Sequence, residues 1–276
     1  MSTLRYGAKL NVLLVTKGHP FVRDAFHAMF DAIPDCAVTA VEHPAAEVFF
    51  SPALAAPYDA IVLYDMPGID FARRSPLGVV APSEALKRGW RALLADGKGI
   101  VFLHHAIAAW PAWPEYGEWT GARFLYAPGE AGGKAYPDSG YRHDVKHLVT
   151  PVDPKHPVFA GIESGYEISD ELYLCPVFEE RVTPLARSSH AFVPENFYSA
   201  AAAIAGKMFT NEGWTHPRGS NLAAWAQRVG KSQLATILGG DGPVAYENPG
   251  LRRLLENTIR WVASETARLR APSGAR

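Results

Sequence analysis

An α/β fold, with a mainly parallel central sheet and helices on both faces, is predicted for this chain by three observations. Short apolar strand-like runs alternate with segments of helical periodicity over about the first 105 residues. The first of these runs is the β-branched, continuous kind expected of strands buried on both faces. Later segments have further strand character, which adds antiparallel strands at the sheet edge.

The elements follow in order. NVLLVT (11–16) reads as the first strand, and residues 20–33 place Val22, Phe26, Met29 and Phe30 at helical spacing. CAVTAVE (36–42) and YDAIVLYD (58–65) are the second and third strands. Leu86, Trp90, Leu93 and Leu94 form the apolar stripe of a helix between Pro82 and Asp96, with Gly97 as its stop. GKGIVFLH supplies the fourth strand. Residues 107–140, rich in Trp, Tyr, Pro and Gly, read as a structured insertion, because linkers rarely carry so many large aromatics. In YRHDVKHLVT, residues Tyr141, His143, Val145, His147 and Val149 share one strand face. YEISDELYL (166–174) and RVTPLARS (181–188) are additional strands. A hairpin joins 221–228 to 232–238 through Gly230-Lys231. Asn248-Pro249 then opens a closing helix with Asn as N-cap, its apolar face formed by Leu251, Leu254, Leu255, Ile259 and Val262.

No repeat and no linker interrupts this pattern, so one domain spanning 1–276 is expected, with its core over about 9–265. A net charge of −1 without long runs of one sign argues against nucleic-acid or membrane-surface partners. The first residues lack a secretory leader, and no window approaches the roughly 20 apolar residues of a membrane span. Cys36 and Cys175 are taken as reduced thiols. A cytoplasmic protein is the expectation, with homo-oligomerisation left open.

The carboxyl ends of parallel strands are where such folds bind ligands, and His19, Asp65 and the pair His104–His105 all fall there. Adjacent residues of a strand diverge, so one functional histidine fits the geometry better than two equivalent ones. Capping of the strand by imidazoles on loop carbonyls is the plainer alternative. His143 and His147 have the i, i+4 spacing of a helical metal pair, but four strand residues span about 13 Å, too far for one ion. Asp170-Glu171 is expected at the end of a strand, where a carboxylate beside an imidazole orients the ring or completes a metal site. Gly239-Gly240-Asp241 follows the last strand, where glycine permits close backbone approach. Trp110, Trp113 and Trp214 are candidate stacking faces for a sugar. The nucleotide-cradle motifs and the GxSxG elbow are absent from the sequence.

GKGIVFLHH, HPVFAGI (156–162), ISDELY (168–173) and GGDGPVAYENPGLRRLLENTIRW, in this order and spacing, resemble the ThuA-like (trehalose utilisation) family of the class I glutamine amidotransferase-like superfamily. The resemblance implies a flavodoxin-like sheet and action on trehalose-related or oxidised, keto-type sugars. His104 and Glu171 match its motif positions most directly. Asp241 departs from it, since many members carry a His-containing segment there, and His143 or His19 is the candidate replacement. Glutamine amidotransferases of the superfamily need a Cys at the strand-to-helix elbow and a late-strand His. Here the elbow reads Leu-His-His-Ala and the late strand ends in Gly-Gly-Asp-Gly-Pro, so glutaminase chemistry has neither nucleophile nor base.

The expected function is therefore acid/base chemistry on a disaccharide or keto-sugar derivative by a hydrolase, lyase or isomerase. The catalytic set is His104, His105, Glu171 and Asp241, with His104 as general acid/base and His105 or His143 as its partner. His19, Trp110, Trp113, His143 and Trp214 are the substrate-binding set. No cofactor is demanded; a divalent metal is left open, with His104, His143 and Glu171 as ligands. The alternative is a non-catalytic sugar-binding or regulatory protein using the same cleft.

Overall fold

The computed structural model describes residues 7–74 and 76–270, so the outermost parts of the expected 1–276 span lie outside the described residues. β1 (Leu10–Lys17) leads to α1 (Arg23–Asp31), β2 (Cys36–Glu42), the short turn α2 (Pro52–Ala55) and β3 (Ala60–Asp65). A small antiparallel ribbon of β4 (Ile69–Arg74) and β5 (Leu77–Val79) precedes α3 (Glu84–Asp96) and β6 (Gly99–Leu103). The aromatic-rich stretch then holds α4 (Pro114–Thr120) and a second ribbon, β7 (Gly129–Ala131) with β8 (Lys134–Tyr136). The rest of the chain is β9 (Gly140–Pro151), β10 (Tyr166–Leu174), β11 (Thr183–Ser188), β12 (Tyr198–Ser199), α5 (Ala200–Ile204), β13 (Leu222–Val229), β14 (Ser232–Ile237), α6 (Pro243–Glu247) and α7 (Pro249–Arg270).

One sheet runs β2-β1-β3-β6-β14-β13-β11-β9-β10, with β12 attached to β9. The first five strands are parallel. In chain order they read second-first-third-fourth-fifth, the flavodoxin-like arrangement whose crevice opens where β1 and β3 diverge. β13, β11, β9 and β10 extend it antiparallel.

Alternation along β1 shows why the sheet is covered twice. Val12 and Leu14 join the core under α1 and α7, whereas Leu13 and Val15 join the core under α3 and α4. All six residues of β3 are buried, as an interior parallel strand requires. α3 starts where the Ser83 hydroxyl accepts the Leu86 N–H at 3.1 Å and stops at Gly97, whose φ of +91° suits glycine. α7 starts at Asn248, whose Oδ1 accepts the N–H groups of Gly250 and Leu251. Its Leu251, Leu254, Leu255, Ile259 and Val262 are all buried, worth on the order of 10 kcal/mol before chain entropy is subtracted. A third apolar cluster lies under the antiparallel extension, built on Leu172, Leu174, Phe192, Phe197 and Trp225. Cys36 and Cys175 are both buried and, among the described residues, form no disulfide.

Two expectations change. Asp170 and Glu171 lie in the middle of β10, not at its end, and a register break occurs there. Trp110 and Trp113 belong to the core under α3 and α4. Trp113 packs 4.8 Å from Trp119 and 6.4 Å from Trp90, so the aromatic-rich stretch closes a face of the sheet.

Candidate functional site

β6 ends at Leu103, and a single 3-10 turn follows over His104–Ala108. His104 enters this turn at φ +49°, a left-handed conformation that costs a residue with a Cβ roughly 1–2 kcal/mol. The elbow sends the two imidazoles apart. The His104 Nδ1–H donates to the Leu238 carbonyl at 2.8 Å, just past β14. That bond turns Nε2 toward Tyr173 Oη at 2.9 Å, Glu171 Oε2 at 3.1 Å and Asp241 Oδ1 at 3.4 Å. The side chain of His104 is 0% exposed. His105 turns instead toward Tyr64 (4.1 Å between rings) and His19 (4.6 Å), and among the described residues neither of its ring nitrogens has a hydrogen-bond partner.

The carboxylates come from an irregularity of the antiparallel half. Asp170 is paired with Val145 and Leu172 with Arg142, so His143 and Asp144 together oppose Glu171. Asp144 takes φ +55° in this bulge. Bulges re-aim side chains, and here His143 Nδ1 comes to 3.4 Å from Glu171 Oε1 and 3.9 Å from Asp241 Oδ2. Asp170 has a different task. Its carboxylate accepts the N–H groups of Gly240 at 2.6 Å, Asp241 at 3.0 Å and Glu171 at 2.9 Å. The hydroxyls of Tyr64 and Tyr246 donate to the carbonyls of Gly240 (2.9 Å) and Asp241 (2.6 Å), so the loop after β14 is clamped from both sides. Glycine is needed at 239 because a Cβ there would lie 2.7 Å from Asp170 Oδ2.

Charge in the cluster is compensated internally. Burial disfavours protonation of His104, but the Asp241 and Glu171 carboxylates outweigh it and hold the imidazole well above its ordinary range. Burial likewise opposes ionisation of Asp241, yet its bonds to His104 and His143 keep it well below the usual carboxylate range. Asp241 also raises His143. Burial and the neighbouring His104 lower His19 and hold His105 well below the ordinary value. Burial pushes Asp170 up to about 6, against the pull of His104 and the backbone N–H groups.

Beside the cluster lies a cavity of about 190 Å³ walled by Met66, Phe71, Phe124, Tyr126, Tyr141, Tyr173 and Met208, with His19, His143 and Glu171 as its ionisable groups. A more polar cleft of about 290 Å³ adjoins it across His143 and Glu171, bordered by Asp144, Ser169 and Asp241. Glu171 and His143 thus face both openings, whereas His104 lines neither. The structure brings together His104, Glu171, Asp241, His143 and His19, and keeps other expected residues apart. Trp110 and Trp113 are buried among core side chains, and the half-buried Trp214 packs its ring against Gly140 at the start of β9, with its indole N–H on the Asp138 carbonyl. His147 bonds Ser188 Oγ at 2.9 Å, so the His143/His147 spacing reflects a strand, not a shared ligand pair. Asp65 is held by His43 Nε2 at 2.7 Å. Sequence reasoning did not reach the ring walls or the clamp by Asp170. Tyr141 and Tyr173, two residues from His143 and Glu171, were accessible through the two-residue strand period.

Donor atoms of His104, Glu171 and Asp241 lie within 4.8 Å of one another, so a metal-compatible triad exists, with Asp241 where His143 was expected and His143 beside it. The elbow after β6, where the glutamine amidotransferase resemblance would call for a Cys, carries His104. Cys175 lies just past β10, buried, its thiol pushed up to about 12 by burial.

No curated protein matches this chain in sequence. Solved structures match in fold. A ThuA-like protein from Parabacteroides merdae aligns at 17% identity and a TM-score of 0.63, over 92% of this chain and 90% of its own. Another, from Bacteroides uniformis, aligns at 14% and 0.59 over 95% of each chain. A cytoplasmic protein of Salmonella typhimurium aligns at 11% and 0.55 over 92% of this chain and 99% of its own. The family model described as trehalose utilisation matches residues 11–262, from the first strand into the last helix, and the chain belongs to that family, ThuA.

Proposed function

We propose that this chain is an enzyme of sugar utilisation that moves protons on a disaccharide or keto-sugar derivative. One observation carries the reading: Glu171, only 6% exposed, lies on the wall of an aromatic cavity between a buried imidazole behind it and a half-exposed one beside it. The family description, trehalose utilisation, supports the substrate class. A cytoplasmic setting is part of this reading, as for the Salmonella neighbour described as cytoplasmic.

In this reading Glu171 removes the proton from the carbon next to a sugar carbonyl. The electron pair left on that carbon shifts toward the carbonyl oxygen, and His143, raised by Asp241, supplies a proton there. Glu171 then delivers the proton it holds, either to the former carbonyl carbon (isomerisation) or to a leaving group expelled from the carbon beyond the one deprotonated (elimination). In each case His143 takes back an enediol hydroxyl proton as the new carbonyl forms. His104 does not touch the substrate. It is a positioning residue that compensates and orients Glu171 from behind. Tyr126, Tyr141 and Tyr173 offer ring faces to the C–H surface of the sugar, the role expected of Trp110 and Trp113. Neutral His19 accepts a hydroxyl. His105 packs the elbow.

Incubation with keto-disaccharides in deuterated water tests this directly. Deuterium should enter the carbon next to the carbonyl, and Glu171→Gln should slow that exchange by about 10²–10⁴-fold. Saturable binding without exchange or product would replace the enzyme with the sugar-binding alternative.

A further inference from the structure

His104, Glu171 and Asp241 direct several acceptor atoms into one small space. The His104 Nδ1–H is committed to the Leu238 carbonyl at 2.8 Å, which leaves Nε2 as the atom facing the carboxylates. Metal-ligating histidines are held this way, the far ring nitrogen on a carbonyl and the near one free to coordinate. The carboxylates receive comparable support. The main chain of Asp241 is fixed by Asp170, and Glu171 is set in a strand bulge opposite His143. The three donor atoms lie within 4.8 Å of one another, and His143 Nδ1 stands 3.4 Å from Glu171 and 3.9 Å from Asp241. An entry path exists, since the side chains of Asp241 and His143 are 26% and 39% exposed beside the polar cleft.

We propose that His104, Glu171 and Asp241 bind one divalent first-row transition ion, with His143 as the fourth donor. Two imidazoles and two carboxylates without a thiolate suit zinc or manganese. An all-oxygen cage would suit magnesium or calcium, and a soft thiolate site would suit copper(I). The proposal deepens the reading of this cluster as a catalytic centre and rests on it for its purpose: the ion, when bound, would polarise the sugar carbonyl in place of the proton from His143, while Glu171 keeps its second carboxylate oxygen for the substrate proton. Its existence depends only on the donors.

The test uses the full chain, stripped by a chelator and dialysed, then titrated calorimetrically with zinc and with manganese, no sugar present. One equivalent should bind saturably to the wild type and raise its melting temperature. Glu171→Gln and Asp241→Asn should each weaken binding at least 10–100-fold, and His104→Gln should do the same. If His104→Gln does not fold, Asp241→Asn and His143→Gln carry the comparison, because both sites are partly exposed. Absence of saturable binding by the wild type overturns the proposal, as does binding that all the variants retain. If the stripped protein binds no ion yet exchanges deuterium into a keto-sugar, the metal site falls and the carbohydrate reading stands. If one ion binds at these residues and no sugar reacts, the carbohydrate reading fails and the metal site stands.

Discussion

Removing the imidazole of His104 leaves Glu171 and Asp241 converging on an empty space, each having lost its contact at 3.1 or 3.4 Å. Breaking a buried ion pair by deleting one partner costs about 3–5 kcal/mol, because the remaining charge stays buried. His104→Gln should therefore lose stability on that scale as well as turnover, whereas Glu171→Gln should lose turnover with less than half that stability cost. Urea unfolding of both variants, alongside deuterium exchange, checks the contrast; equal stability losses would remove the compensating role of His104. The position of this residue was legible, since an apolar run ending in His-His marks the end of a strand. Its burial was not. What shields it comes from residues 171, 173 and 241, and no local pattern encodes how β10 and the loop after β14 fold over the elbow. The tryptophans erred in the opposite direction. Trp113 reads as a binding face in isolation, yet Trp90 in α3 and Trp119 in α4 already supply its partners.

At the scale of elements, β9 does two jobs, separated by the bulge at Asp144. Before it, Tyr141 and His143 face the cavity; after it, Val145, His147 and Val149 return to regular burial. His147 is held down to about 4 by burial and by His190. The folded state thus prefers neutral His147, while the unfolded chain protonates it near the ordinary value. The stability this provides is complete above about pH 6.5 and is lost as pH falls toward 4, up to about 3 kcal/mol. His147→Gln should flatten that dependence: the difference in unfolding free energy between pH 7 and pH 4 should shrink by this amount, measured by urea titration at both values. The strand assignments were readable because alternation and continuous apolar runs are local. The bulge was not, because its cause is the pairing of two strands that meet over a long loop. Asp170 illustrates the difference. As sequence it is one of two adjacent carboxylates, and only pairing shows that it faces the Gly240–Asp241 backbone while its neighbour faces the cavity.

Across the whole molecule, α7 packs against β3, β6, β14 and β10, and so touches both the parallel strands and the antiparallel extension. Leu255, fully buried at the centre of its apolar face, should cost about 2–5 kcal/mol when cut back to alanine. We expect the loss to appear as one earlier transition, with tryptophan fluorescence and far-ultraviolet circular dichroism coinciding. Separate transitions would divide the chain into two folding units. The parallel strands and the closing helix were legible from periodicity and caps, as was the antiparallel hairpin of β13 and β14, whereas the flavodoxin-like arrangement followed only from the family resemblance. The clamp around residues 239–241 was not, since its holders at 64, 170 and 246 are scattered along the chain.

The sheet has a seam where β14 passes from parallel to antiparallel neighbours, and the cluster of His104, Glu171, His143 and Asp241 straddles it. His104 is delivered by a parallel strand, Glu171 and His143 by antiparallel ones, and Asp241 by the loop just past the strand at the seam. Neither half owns the centre. On the proposed function, the acid/base groups therefore depend on the register between the two halves rather than on the loops of either one. The same geography ties the cluster to the alignment of the two halves. A shift of one half against the other would separate the imidazole from its carboxylates and, on the proposed function, abolish turnover while both halves stay folded.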